Sequence, residues 1–179
     1  MAETRRARIL RYSALFVGVV ALSLFFRMLP LSAYGPAFPA PDLLLCLTMA
    51  WVVRRPDYLP APLIAAAFFL EDLLLMRPPG LMALLVLLGT EFLRRRNALI
   101  RGLPFWLEYA LVATVLTAIF LGNRLILAIV MVPQVPLGLS FAQFVGTVLL
   151  YPLAVLVSHF VLGVRKPATG EVDALGQKL

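Results

Sequence analysis

Six charged residues lie where apolar sequence surrounds them: Arg27, Asp42, Glu71, Asp72, Arg77 and Arg124. Carboxylates and guanidiniums in such surroundings either move protons or pair with one another. Acid–base work needs two carboxyl groups facing each other, or one held beside a nucleophile. Glu71 and Asp72 are adjacent, so on a helix they point to different faces and cannot form such a pair alone. The rest of the chain offers them no help. It has one histidine, His159, beside Ser158, and one cysteine, Cys46. It has no Ser-His-Asp set, no pair of histidines at ligand spacing and no phosphate-cradling glycine loop. One cysteine allows neither a disulfide nor a cysteine-based metal site within the chain. The expectation is a non-enzymatic protein without cofactor or metal.

The solvent for these charges follows from composition. Of 179 residues, 62% are hydrophobic and 14% charged, and the mean hydropathy is +0.95. A soluble domain of this length needs far more polar surface. Lipid is the alternative, and there helices of about 20 residues satisfy their own backbone. The net charge is +7, but the basic residues sit in short clusters between apolar runs, which writes membrane topology rather than nucleic-acid binding. The class expected is an all-α integral membrane protein.

Six apolar segments can be placed. Residues 1–11 form a basic N-terminus, 12–164 a single transmembrane domain, and 165–179 a polar tail expected to be disordered. The first run covers Tyr12 to Phe26; no small-residue cleavage site follows it, so it reads as a retained helix. A stretch with Pro30, Pro36, Pro39 and Pro41 cannot be regular helix. The second run, Leu43 to Val53, is only 11 residues long and stops at Arg54-Arg55-Pro56. The third spans about Tyr58 to Met76. Arg77, Pro78, Pro79 and Gly80 then form a turn, with Pro79 suited to the first positions of the next helix. The fourth run ends in Arg94-Arg95-Arg96. The fifth begins near Pro104 and reaches at least Gly122, and the sixth runs from about Ser140 to Val164. Between them, 125–139 either extends the fifth helix past Arg124 or forms a separate interfacial piece.

If all six segments cross from a cytoplasmic N-terminus, 13 basic residues fall on the cytoplasmic side and three, Arg27, Arg77 and Arg124, on the outer side. Dropping any one crossing spoils that alternation. The six charged residues named first then share the outer half of the bilayer. A lone charge at the bilayer centre costs roughly 2.5–3.5 kcal/mol, which pairing offsets, so an internal ion-pair layer is expected. For Arg27, Asp42 and Arg77 the competing reading is contact with headgroups or water. On the inner side, Glu91 is expected to support Arg95 four residues on, and Glu108 to snorkel or meet the basic loop. His159 reads as a packing residue.

Small residues mark close helix approach. The fifth helix carries Ala110, Thr114, Ala118 and Gly122 at four-residue spacing, the sixth Ala142 and Gly146, and the first Ala14 and Gly18. Internal packing is the ordinary explanation; one such face left over would suit a partner's helix.

Several strings together carry a family likeness. Pro41-Asp42-Leu-Leu-Leu-Cys46 is followed by Trp51-Val-Val-Arg54-Arg55-Pro56, then by Glu71-Asp72-Leu-Leu-Leu-Met-Arg77-Pro78-Pro79-Gly80-Leu and Thr90-Glu91-Phe-Leu-Arg94-Arg95-Arg96. Asn123-Arg124, Val132-Pro133-Gln134 and Tyr151-Pro152 come later. In order and spacing, from about Tyr12 to Lys166, these resemble the MreD family of rod shape-determining proteins of Gram-negative bacteria. The resemblance implies an inner-membrane component of the cell-wall elongation complex. Its partners would be MreC, and within the larger complex MreB, RodA and a class-B penicillin-binding protein, with no nucleic acid. It also implies a six-helix bundle similar to the substrate-binding subunits of energy-coupling-factor transporters. Basic loops would favour anionic lipid headgroups. Two functions are therefore expected to compete. One is a scaffold that binds the MreC helix through a small-residue face, its outer surface shaped by the Arg77–Gly80 turn. The other is a vitamin-like uptake subunit with an outward-facing pocket of Glu71, Asp72 and Arg124.

Overall fold

A computed structural model of the chain describes residues 2–29 and 40–160. Most of the proline-rich stretch (30–39) and the tail at 165–179 lie outside the described residues. Among them are seven α-helices: α1 (Ala2–Met28), α2 (Leu43–Arg54), α3 (Ala61–Leu74), α4 (Leu81–Arg95), α5 (Asn97–Arg101), α6 (Phe105–Ile129) and α7 (Leu137–Phe160). A 3-10 turn at Pro56–Tyr58 joins α2 to α3. The Ile9–Met28 part of α1, α6 and α7 are each long and apolar enough to cross a bilayer, as expected of a multi-pass membrane protein.

Several expectations need correction. Helix α1 begins at Ala2, ten residues before the apolar run that opens at Tyr12, because the alanines, arginines and Glu3 of the basic N-terminus are good helix formers. Of the two alternatives left open for 125–139, extension holds: α6 runs through Arg124 to Ile129, and Met131 just beyond it takes a left-handed conformation, φ 56°. Helix α7 starts at Leu137, right after Pro136. Pro79 does not open α4. That helix starts at Leu81, and its N-cap is Gly80 at φ 84°, a conformation glycine adopts without steric cost. The extra helix, α5, was not foreseen within the basic loop.

Side-chain bonds establish that α1, α2, α3, α4, α6 and α7 alternate in direction. At one end, Arg27 of α1 meets Asp42 before α2 and Glu71 late in α3. At the other, Arg54 ends α2 beside Glu108 in the first turn of α6, and Trp51 of α2 reaches Ser158 near the end of α7. We call these the cavity end and the basic end. Helices α2, α3 and α4 have 12, 14 and 15 residues, so they rise about 18–22 Å, short of the ~30 Å hydrocarbon core. Helices α6 and α7, with 25 and 24 residues, rise about 36–38 Å.

Helix α2 runs through the centre of the bundle; Cys46, Met49, Ala50, Val52 and Val53 are wholly buried. Close approach is set by glycines on its neighbours. A Cβ on Gly89 of α4 would lie 2.9 Å from Val115 Cγ1 of α6, and one on Gly146 of α7 would lie 3.1 Å from Pro41 Cγ. Helix α1 is peripheral. It docks through Tyr12, stacked 4.3 Å from Tyr58, and Phe16 against Trp51, while Leu10, Val17, Leu22 and Phe25 remain exposed. Pro152 inside α7 leaves the Val148 carbonyl without its helical donor; the Tyr109 hydroxyl donates to that oxygen at 3.3 Å.

Candidate functional site

The polar layer exists, but its members divide. Arg27 lies 3.0 Å from Asp42 Oδ1 and hydrogen-bonds Glu71 Oε1, bridging the two acids. Arg77 Nη1 stands 3.8 Å from the same Glu71 oxygen. Asp42 also caps α2: its Oδ1 accepts from Leu45 N at 3.0 Å, and its own N–H donates to Thr147 Oγ1 at 2.9 Å. Arg27, Asp42, Glu71 and Arg77 therefore form the expected pairs, and Asp42 and Glu71 are buried rather than interfacial.

Asp72 and Arg124 are not part of that pairing. Asp72, wholly buried, makes no ion pair among the described residues. Its Oδ2 accepts from the backbone N–H groups of Gly80, Met82 and Ala83 at 3.1, 3.1 and 3.3 Å. These are orphan donors at the start of α4, so the carboxylate caps a helix from eight residues upstream, where the helix dipole favours negative charge. This explains the turn physically: Pro78 and Pro79 supply no N–H, Gly80 takes the left-handed φ, and Asp72 collects the N–H groups that remain. Arg124 makes no ion pair among the described residues either. Its Nη1 donates to Val135 O at 3.3 Å, and its carbonyl accepts from Gln134 Nε2 at 3.1 Å.

Between these two groups lies a cavity of about 430 Å³, inside the ~300–1,000 Å³ range of small-ligand pockets. Asp42 and Leu45 line it from α2, and Leu116, Ile119, Phe120, Asn123 and Arg124 from α6. Phe144 and Thr147 of α7 and the Arg77–Pro78 turn close its sides. Glu71 does not line the cavity, contrary to the expected Glu71, Asp72 and Arg124 pocket; it is buried and paired with Arg27 and Arg77 instead. The amides Asn123, Gln134 and Gln143 were not anticipated in the wall. Asn123 and Gln134 stand in the strings that carry the family likeness, and all three are polar residues in a stretch, 105–160, whose charges are Glu108 and Arg124 alone.

The basic end holds a second buried cluster that sequence reasoning missed. Glu108, 1% exposed, accepts from Arg54 Nη2 at 3.2 Å and from the Tyr151 hydroxyl at 3.3 Å. It does not snorkel. Around it, Asn97 Nδ2 donates to the Val53 carbonyl at 2.8 Å and Arg94 Nη2 to the Leu59 carbonyl at 2.6 Å, closing the ends of α2 and the 3-10 turn. Asn97 is thus the anchor that gives α5 its place. Glu91 stands by Arg94 at 3.2 Å rather than by Arg95, since Arg94 points inward to Leu59.

The small-residue faces also sort. Ala110, Thr114 and Ala118 are exposed along α6, between Trp106 and Leu121, which are 66% and 57% exposed. Thr114 Oγ1 donates to Ala110 O at 2.9 Å within the helix, so this face presents no unsatisfied polar group to lipid. Gly122 departs from it and packs on Leu85 of α4. Gly146 is likewise internal, against Pro41, with Ala142 half-buried one turn away. Ala14 and Gly18 of α1 are exposed. Comparison of the chain with protein-family models, with curated proteins and with solved structures finds no match.

Proposed function

We propose that this chain is a non-enzymatic membrane scaffold of the MreD type, binding the single transmembrane helix of MreC and helping to position peptidoglycan synthesis for cell-shape control. The observation that carries the reading is the outward Ala110–Thr114–Ala118 face of α6. Three small exposed side chains run along the helix between Trp106 and Leu121 at its ends, and small residues let helix backbones approach closely where lipid offers no hydrophobic drive to associate. The alternating helix directions and the arginines gathered at the basic end favour six crossings with both termini in the cytoplasm of a bacterial inner membrane. MreB, RodA and a class-B penicillin-binding protein would join through MreC or through the helix ends. Deleting the chain in its own organism is expected to abolish rod shape and to disperse MreC; rod-shaped cells with MreC correctly placed would end this reading.

The cavity favours a second reading, a small-molecule uptake subunit. It opens at the end opposite the basic cluster and offers both amides and apolar walls, as an uptake pocket needs. A purified sample with no bound ligand and no affinity for a vitamin panel would remove it.

A further inference from the structure

From an arginine in the cavity wall that no carboxylate holds among the described residues, we infer that the cavity binds an amphipathic anion: a phosphate or carboxylate head held by Arg124 with an apolar body against α6 and α7. Of the two acids in the wall, Asp42 is committed to Arg27 and to the first turn of α2, and Asp72 gives Oδ2 to three backbone N–H groups at the start of α4 while its Oδ1 is buried without a hydrogen-bond partner among the described residues. Among the described residues Arg124's side chain has only a carbonyl partner, at 3.3 Å, and Arg77 is held at 3.8 Å from Glu71. The Asn123 side chain beside Arg124 makes no hydrogen bond among the described residues. The charged group of the wall left without a carboxylate among the described residues is therefore the Arg124 guanidinium, with the Asn123 amide beside it able to donate, and a phosphate or carboxylate head matches that pair. The remainder of the wall is apolar: Leu45, Leu116, Ile119, and Phe120 stacked 4.8 Å from Phe144. The space exists because α2 stops at Asp42, level with Thr147 in the middle of α7, while α6 and α7 continue. An amphiphile with its head at Arg124 and its chain along Phe120 fills the wedge left above α2. This holds whether the chain is scaffold or uptake subunit, since the occupant can be structural or cargo.

The test uses the full chain in phosphatidylcholine nanodiscs and two photo-reactive probes, a twelve-carbon alkyl phosphate and the alcohol of the same chain, each with a terminal diazirine. The phosphate probe is expected to label cavity residues such as Leu116 and Phe120 at least tenfold more than the alcohol, and unlabelled alkyl phosphate to compete. Arg124→Gln should cut labelling about tenfold, the range for one charged hydrogen bond, while Arg124→Lys retains most of it. Competition by phosphatidylglycerol in the nanodisc would assign the head to a membrane lipid; its absence would assign a soluble anion, and either result supports the inference. Equal labelling by the alcohol, or labelling of the outward Ala110–Ala118 face alone, would overturn it without help from any variant. A chain that still binds MreC while failing this test would lose the amphiphile and keep the scaffold reading.

Discussion

The two ends of the bundle hold buried charge in opposite ways. At the basic end, Arg54, Glu108 and Tyr151 are closed on one another between α2, α6 and α7, and neighbouring carbonyls receive Asn97 and Arg94. At the cavity end, acids are taken by Arg27 and by a helix start, and a guanidinium and several amides are left facing open volume. The same helices, α2 and α6, are tied at one end and separated at the other. The difference comes from length: α2 is half as long as α6 and α7, so its polar N-terminus stops inside the bundle. A bundle tied at one end and wedged open at the other concentrates rigidity at the basic end and leaves room for a ligand at the other.

That contrast sets an order of mutational effects, measured as unfolding in detergent. Glu108→Ala should cost most, about 3–5 kcal/mol, because it leaves the Arg54 charge buried without its carboxylate; a loss below 1 kcal/mol would show that the basic end is not the tied one. Asp72→Ala comes next, at about 1–3 kcal/mol, from three uncapped N–H groups. Asp72→Asn, which keeps an acceptor oxygen, should recover part of that loss. Tyr109→Phe removes the hydroxyl that serves the Val148 carbonyl opposite Pro152 and should cost about 0.5–1.5 kcal/mol. Arg124→Gln should leave stability within about 0.5 kcal/mol of the native chain, since no carboxylate depends on it. A large loss there would mean that the cavity end is closed by ion pairs after all.

Much of this architecture was legible in the sequence, and what was not has a common cause. Prolines and arginine clusters bracket α2, so that helix could be placed nearly to the residue, and they fix the starts of α4, α6 and α7 to within three residues, but no such signal marks the end of α6, which runs seven residues past Gly122. Depth alone gave a layer of paired charges but not its partners, and for Arg27 and Asp42 it left headgroup or water contact open; the structure supplies the Arg27–Asp42 and Arg27–Glu71 pairs. Asp72 was misread because a carboxylate among arginines suggests an ion pair, whereas its ligands are backbone N–H groups that composition does not display. Glu108 was undervalued because its partners, Arg54 and Tyr151, are distant in sequence and brought together only by the packing of α2 on α7. Gly122 and Gly146 share the spacing of the outward stripe but turn inward, because helices apolar all round give no periodic signal of which face is free. Even the cavity is a consequence of α2's brevity, which the sequence displayed as an 11-residue run and which only the neighbouring helix lengths make meaningful.

Co-purification of the chain with the MreC of the same organism, in mild detergent, tests the scaffold proposal most directly. Native chain would be compared with Ala118→Trp and Gly146→Leu. The outward face predicts a stable complex that Ala118→Trp abolishes while the variant elutes and unfolds like the native chain; Gly146→Leu should instead destabilise the bundle, by about 1–3 kcal/mol of overpacking against Pro41. A complex untouched by Ala118→Trp, or no complex with the native chain, would contradict it.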